Sequence, residues 1–179
     1  MKKFLQFSGL IAAVVAIVAF ILMLASPAMT YTVAGKTYEI SGIYGIFGGK
    51  VTASRWGISV DLAEIKATAS AVIAFVLLIA AIVILLLGAI LPIFKVTALN
   101  KFSGLLNLIA VIALVVAGIL VFIEIPCFGA AQSTADYTYS TDGYALGAGW
   151  IVSAICAIVA GVLAVAPSFA NFIAKGKKK

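Results

Sequence analysis

Four stretches of this sequence, near residues 4–24, 67–93, 105–123 and 147–166, each run for about 20 residues or more without an Asp, Glu, Lys or Arg. A helix that crosses the roughly 30 Å hydrocarbon core of a bilayer needs about 20 mainly apolar residues, and its backbone hydrogen bonds all close within the segment. The pattern therefore predicts a membrane all-α four-helix bundle in a single four-span domain covering residues 1–179. Apolar residues make up 65% of the chain and charged residues 10%, against about 45–50% and 25% in soluble domains. What remains is divided among two short tails, a short connection and two loops at 25–66 and 124–146, too little for a large soluble catalytic domain.

The first stretch follows Lys2 and Lys3 and ends at Ala25-Ser26-Pro27-Ala28, a layout shared with signal peptides. Its length of 21 residues exceeds the 7–15 of a signal-peptide core, so an uncleaved first span is expected. Pro92 and Lys95 close the second stretch and Glu124 and Pro126 the third, while Pro167 is expected to kink or end the fourth. Trp150 and Tyr144 fall where an interfacial aromatic belt would lie.

Basic residues set the expected orientation, because short Lys- and Arg-rich segments stay cytoplasmic. Lys2, Lys3, Lys95, Lys101, Lys175, Lys177, Lys178 and Lys179 fall on one side, eight in all, against four on the other: Lys36, Lys50, Arg55 and Lys66. Both termini are thus read as cytoplasmic, the two long loops as extracellular, and the protein as integral to the plasma (cytoplasmic) membrane. The net charge of +6 is concentrated inside as a C-terminal lysine cluster. Without an aromatic platform it points to anionic lipid headgroups and not to nucleic acid.

The first long loop alternates in the manner of strands. Thr30-Tyr31-Thr32-Val33 and Thr37-Tyr38-Glu39-Ile40 flank Ala34-Gly35-Lys36, a hairpin signature. A second pair is read in Ile43-Tyr44-Gly45-Ile46-Phe47 and Val51-Thr52-Ala53-Ser54 around Gly48-Gly49-Lys50, followed by Ile58-Ser59-Val60-Asp61-Leu62. The expectation is a small extracellular antiparallel β-sheet from this loop, with Tyr137-Thr138-Tyr139-Ser140-Thr141 of the second loop as a possible addition.

Chemistry-bearing constellations are sparse. The chain has no His and only two cysteines, Cys127 and Cys156, so imidazole- and thiolate-based metal sites and a Ser–His or Cys–His nucleophile lack their parts. Neither enzyme activity nor a cofactor or metal is expected. Cys127 falls in the second loop and Cys156 inside the fourth span, too far apart in depth for a bond. Transporters place ionisable groups at mid-membrane, and none of the four spans holds one. Asn107 is read as an interhelical or interfacial contact, and Thr68 and Ser70 as bonded to their own helix backbone. Small-residue pairs at four-residue spacing, among them Gly9/Ala13, Ala113/Ala117 and Ala157/Gly161, favour close helix packing.

This layout resembles the claudin and peripheral myelin protein superfamily of four-span proteins: a cytoplasmic N-terminus, a long β-rich first outer loop, a short inner turn, a smaller second loop and a basic tail. Gly45-Ile46-Phe47 stands where that family carries Gly-Leu-Trp. No cysteine follows it within this loop, so the family's loop disulfide has no counterpart. The resemblance implies lateral self-association and contact through the outer sheet.

The expected function is accordingly a non-catalytic scaffold that forms a homo-oligomer or joins a larger membrane complex. The alternatives are a channel or transporter subunit acting as an oligomer, and an accessory subunit of a membrane enzyme complex. Aromatic and Arg side chains dominate binding hot spots, which makes Tyr38, Tyr44, Phe47, Arg55, Trp56, Tyr137 and Tyr139 the candidate partner-binding residues. Strand parity with Ile40 and Ile58 assigns Tyr38 and Trp56 to the core-facing side and Arg55 to the outward side.

Overall fold

The structure is a computed structural model that describes residues 2–55, 58–90 and 103–176. Four long helices, α1 (Lys2–Ala25), α3 (Ala69–Ile90), α4 (Ser103–Phe122) and α6 (Ala148–Gly176), are each long and apolar enough to cross a membrane. They pack as a closed ring in which α1 touches α3 and α6, and α4 touches α3 and α6. Pro167 does not end the last helix, which continues to Gly176.

The bundle sorts residues by size. Facing inward are Ala12, Ala16, Ala19 and Met23 of α1, Ala71, Ala74, Leu78 and Ala81 of α3, Ala110, Ala113, Leu114 and Ala117 of α4, and Ala154, Ala157, Ala160 and Ala164 of α6. Their three- and four-residue spacing makes one stripe per helix. Outward stand Ile11, Val14, Val18, Ile73, Val76, Ile112, Val116, Ile155 and Val162. An apolar exterior on this scale would aggregate in water and suits lipid contact. Small inner residues let backbones close up: a Cβ built on Gly118 would lie 2.9 Å from the Ala154 carbonyl oxygen on the neighbouring helix.

At one end of the ring sits a head of strands and short helices. α1 leads through Ser26 into β1 (Pro27–Val33), which turns at Ala34 and Gly35 into β2 (Lys36–Ser41). Both turn residues have positive φ, 50° and 75°, as a two-residue hairpin turn matched to strand twist requires. The expected first strand pair is thus present, with Tyr31 opposite Tyr38 and Met29 opposite Ile40.

The expected second pair is not. Residues 42–47 form a short helix, α2 (Gly42–Phe47), with Ser41 as its N-cap, accepting from the Tyr44 amide at 3.4 Å. The residues that read as a strand there are held helical by close approach: a Cβ on Gly42 would meet the Met23 carbonyl oxygen at 2.1 Å, and one on Gly45 would meet Ala28 Cβ at 2.6 Å. These glycines are contact positions and not strand residues. β3 (Gly49–Arg55) then pairs with β4 (Ile58–Ile65), the later alternating run.

The second loop contributes α5 (Glu124–Gln132) and β5 (Tyr144–Leu146). Pro126 lies in the first turn of α5, where its missing N–H costs nothing. The expected strand at 137–141 is displaced: β5 is the strand that joins the sheet, antiparallel to β1. The described residues therefore form two sheets, a three-stranded one ordered β2-β1-β5 and a β3-β4 hairpin. Met29, Ile65 and Phe128 form a second small core, with Ile40, Ile125, Tyr139, Tyr144 and Leu146 against it, joining sheet, hairpin and α5.

Head and bundle are fastened at the α1–β1 junction. The Gly42 amide donates to the Ser26 carbonyl at 2.9 Å and the Gly147 amide to the Ala28 carbonyl at 2.8 Å, so α2 and α6 both start from this segment. Trp150, expected in an interfacial belt, is instead wholly buried and donates its indole N–H to the Met23 carbonyl at 2.8 Å. Met23 needs that donor because the residue four positions on is Pro27, which has no N–H. One turn deeper, Ser153 Oγ donates to the Ala19 carbonyl at 2.6 Å.

Candidate functional site

The residues named from sequence fall into three places. Tyr38, on the edge strand β2, shares the face of Ile40 as strand parity implied, yet it is 54% exposed. It closes a row of tyrosines across one face of the three-stranded sheet: Tyr38 opposite Tyr31, Tyr31 opposite Tyr144. Directly opposed residues share a face, and the Tyr31 and Tyr144 rings stack at 4.5 Å. The next row inward on that face is Ile40, Met29 and Leu146, which pack in the head core. The opposite face carries Thr30, Thr32 and Thr37, and the Thr32 and Thr37 hydroxyls approach to 3.2 Å.

Tyr139 extends the row inward. Its hydroxyl lies 2.5 Å from that of Tyr144, its ring meets Phe128 edge-on at 5.9 Å, and its amide donates to Ser133 Oγ at 2.9 Å. It is half-buried and serves to stiffen the sheet. Tyr144 is held protonated above the usual tyrosine range, by burial first and by the Tyr139 hydroxyl second. Tyr137 is 62% exposed, on a turn where the Thr134 amide donates to its carbonyl at 2.8 Å.

Tyr44 and Phe47 stand on α2. The Tyr44 ring covers Gly49, where a Cβ would lie 2.5 Å from the ring. Phe47, 57% exposed, sets its ring edge-on against Phe75 at 5.4 Å, and Phe75 stacks on Phe20 at 5.3 Å. Phe75 lies six residues inside α3, about 9 Å along its axis at 1.5 Å per residue, so Phe47 continues the apolar side of the bundle and not the tyrosine row. Arg55 ends β3 opposite Ile58. Its side chain, like the whole of Trp56, lies outside the described residues, as do Lys95, Lys101, Lys177, Lys178 and Lys179.

The site that sequence reasoning missed is a buried carboxyl. Glu124, the first residue of α5, is 0% exposed. Thr68 Oγ1 bonds to its Oε1 and Ser70 Oγ donates to its Oε2 at 2.5 Å, while Thr68 Oγ1 also reaches the Gly45 carbonyl at 3.5 Å. Thr68 and Ser70 thus serve a partner more than 50 residues away, not their own helix as expected. Burial pushes the Glu124 carboxyl above the ordinary carboxylate range, and the two hydroxyls partly counter it. Nearby, the Gln132 side chain clasps the backbone of Lys66, accepting from its N–H at 3.2 Å and donating to its carbonyl at 3.0 Å. The only sequence signal was an acid at the end of an apolar run facing Thr and Ser at the start of another.

Among the described residues no three His, Cys, Asp or Glu side chains gather into a metal-binding group, and Cys127 and Cys156 are both free thiols. The arrangement offers an aromatic surface on a stiff mount and one sunken acid. No protein-family model matches the chain, and no curated protein is significantly similar to it.

Proposed function

We propose that the chain is a non-catalytic four-span membrane protein that assembles with copies of itself or with a larger membrane complex, and that the tyrosine-bearing face of the head is its recognition surface. The observation that carries this reading is the Tyr38–Tyr31–Tyr144 row, exposed at Tyr38 and stiffened inward by Tyr139 and Phe128. Tyrosine gives large contact area at small entropic cost when pre-ordered. The sorting of small residues inward leaves an interior of alanine and leucine, which supports a packing role over conduction through one chain. The four-span layout with a β-rich head supports the claudin-like analogy at the level of architecture, which carries no function by itself.

In this reading both termini are cytoplasmic, the head is extracellular, the membrane is the plasma membrane, and the lysine cluster at 175–179 rests on anionic headgroups. In intact cells expressing a variant whose own cysteines are replaced, a thiol introduced by Thr37→Cys is expected to react with an impermeant reagent and one introduced by Lys178→Cys to be protected. The reverse pattern overturns the placement.

Recognition is tested by Tyr38→Ala combined with Tyr137→Ala. Both side chains are exposed, so the unfolding free energy should change by no more than the roughly ±0.5 kcal/mol per substitution typical of surface positions. Assembly size and co-purifying partners on native gels should be lost or weakened at least tenfold, as two hot-spot truncations predict. An unchanged assembly would remove the head face as the recognition surface.

A further inference from the structure

We infer that Glu124 is a proton-binding site: the folded head is held on the bundle by the neutral carboxylic acid, whose proton completes a relay from Glu124 through Thr68 to the Gly45 carbonyl. The argument is a count of hydrogens. Three oxygen–oxygen contacts converge here, Ser70 Oγ to Glu124 Oε2, Thr68 Oγ1 to Glu124 Oε1, and Thr68 Oγ1 to Gly45 O. The hydroxyls supply one proton each. With the carboxylate ionised, Thr68 must choose between Glu124 and Gly45, and one acceptor goes without. With the acid neutral, Ser70 donates to Oε2, Glu124 donates from Oε1 to Thr68, and Thr68 passes its own hydrogen to Gly45. Each contact then has one hydrogen.

The surroundings agree. An ionised carboxylate out of contact with water needs a counter-charge. Of the elements packed near it, α2, α3, α4 and β5 carry no Lys, Arg, Asp or Glu and α5 has Glu124 alone, while β4, which meets α5 through Ile65 and Phe128, carries Asp61 and Glu64. The uncharged titratable groups on these elements are Tyr44, exposed on α2, Cys127, half-buried on α5, and Tyr144, bonded to Tyr139. Glu64, at the end of β4, and Lys66, on the segment that enters α3, are both exposed to solvent and do not turn inward toward Glu124. A separation of 2.5 Å between Ser70 Oγ and Glu124 Oε2 is that of oxygens sharing a hydrogen, shorter than two oxygens take around a metal cation.

The relay joins α2, α3 and α5, so deprotonation leaves the Gly45 carbonyl or the carboxylate short of a donor and loosens the head. The sign follows from linkage. The folded-state pKa is raised above its ordinary value of 4.5, so the acid's contribution is fully present below that value and is lost as pH rises through the folded pKa. In that window one proton per molecule should lower the thermal midpoint by about 3–5 °C per pH unit.

The deciding measurement uses the full chain in mild detergent. Glu39 and Glu64 are the other glutamates of the sequence. In a Glu39→Gln/Glu64→Gln variant labelled with carboxyl-13C glutamate, the single labelled side chain is Glu124. At pH 7 the infrared carbonyl band of a protonated carboxyl is expected, converting to the carboxylate band on titration to alkaline pH in step with the fall in thermal midpoint. Adding Glu124→Gln, whose amide can donate to Thr68 as the acid does, should flatten the pH dependence and keep the acid-side midpoint. A carboxylate band alone at pH 7 overturns the proposal. So does a pH dependence that survives Glu124→Gln, and because the band needs no change at Glu124, a failure of that variant to fold leaves the test standing.

Discussion

Trp150→Ala is expected to cost about 3–5 kcal/mol, the range for truncating a fully buried large aromatic, and to be the most damaging single truncation in the bundle. Trp150 fills the joint between α1, α2 and α6. Its ring carbons would lie 3.1 and 3.2 Å from a Cβ on Gly45, and its indole N–H serves the Met23 carbonyl, which Pro27 leaves without a helical donor. Trp150→Phe separates the two contributions, keeping most of the packing and leaving the carbonyl unpaired at about 1–3 kcal/mol. Both are read by reversible unfolding in mixed detergent micelles. Equal stability of Trp150→Phe and the parent would mean that Met23 finds another donor, and the account of this joint would fail.

Gly147→Ala should be nearly as severe, for a different reason. A Cβ there would stand 2.0 Å from the Pro27 carbonyl oxygen and 2.8 Å from its carbon, both backbone atoms with no rotamer to yield. The same residue donates its amide to Ala28 at 2.8 Å, so the shift that relieves the clash also breaks the bond. A loss of about 3 kcal/mol or more is expected, at the upper end for overpacking, together with faster proteolysis in residues 133–143 as β5 leaves β1. The matched control is Gly9→Ala on α1, where a Cβ meets nothing within 4 Å and the change should stabilise the helix by roughly 0.5–1 kcal/mol. If both alanines behave alike, the close approach at the α1–β1 junction is not what fixes the head to the bundle.

The two variants probe the feature on which the proposed function rests. A recognition surface made of a few tyrosines is effective only if its mount is ordered before the partner arrives. Ser26 and Ala28 accept from α2 and α6, Trp150 bridges to α1, Gln132 clasps Lys66, and Glu124 draws Thr68 and Ser70 toward α5. Every one of these ties uses a backbone carbonyl, a backbone amide or a buried hydroxyl, which explains how a chain so poor in charge fixes the orientation of its head.

Four uninterrupted apolar runs were enough to read four long helices, because length and the need to satisfy every backbone group inside the segment leave few other structures. The hairpin was equally legible over residues 30–40, since alternation and a glycine-bearing turn are local signals, although the strands reach 27 and 41 and the turn takes two residues where three were read. Which face of each helix turns inward was not read from hydropathy. In water a polar face marks the outside, whereas here both faces are apolar and the sorting is by size, Ala16 and Ala19 inward and Val14 and Val18 outward on α1. Glycines at 42 and 45 gave the appearance of loop and strand, because sequence cannot distinguish a glycine that turns from one that lets another backbone approach. The tyrosine row, the burial of Trp150 and the meeting of Thr68 with Glu124 belong to tertiary structure alone. Each joins residues far apart in the chain, and which distant groups meet is decided by how the helices pack and not by any local preference of the residues involved.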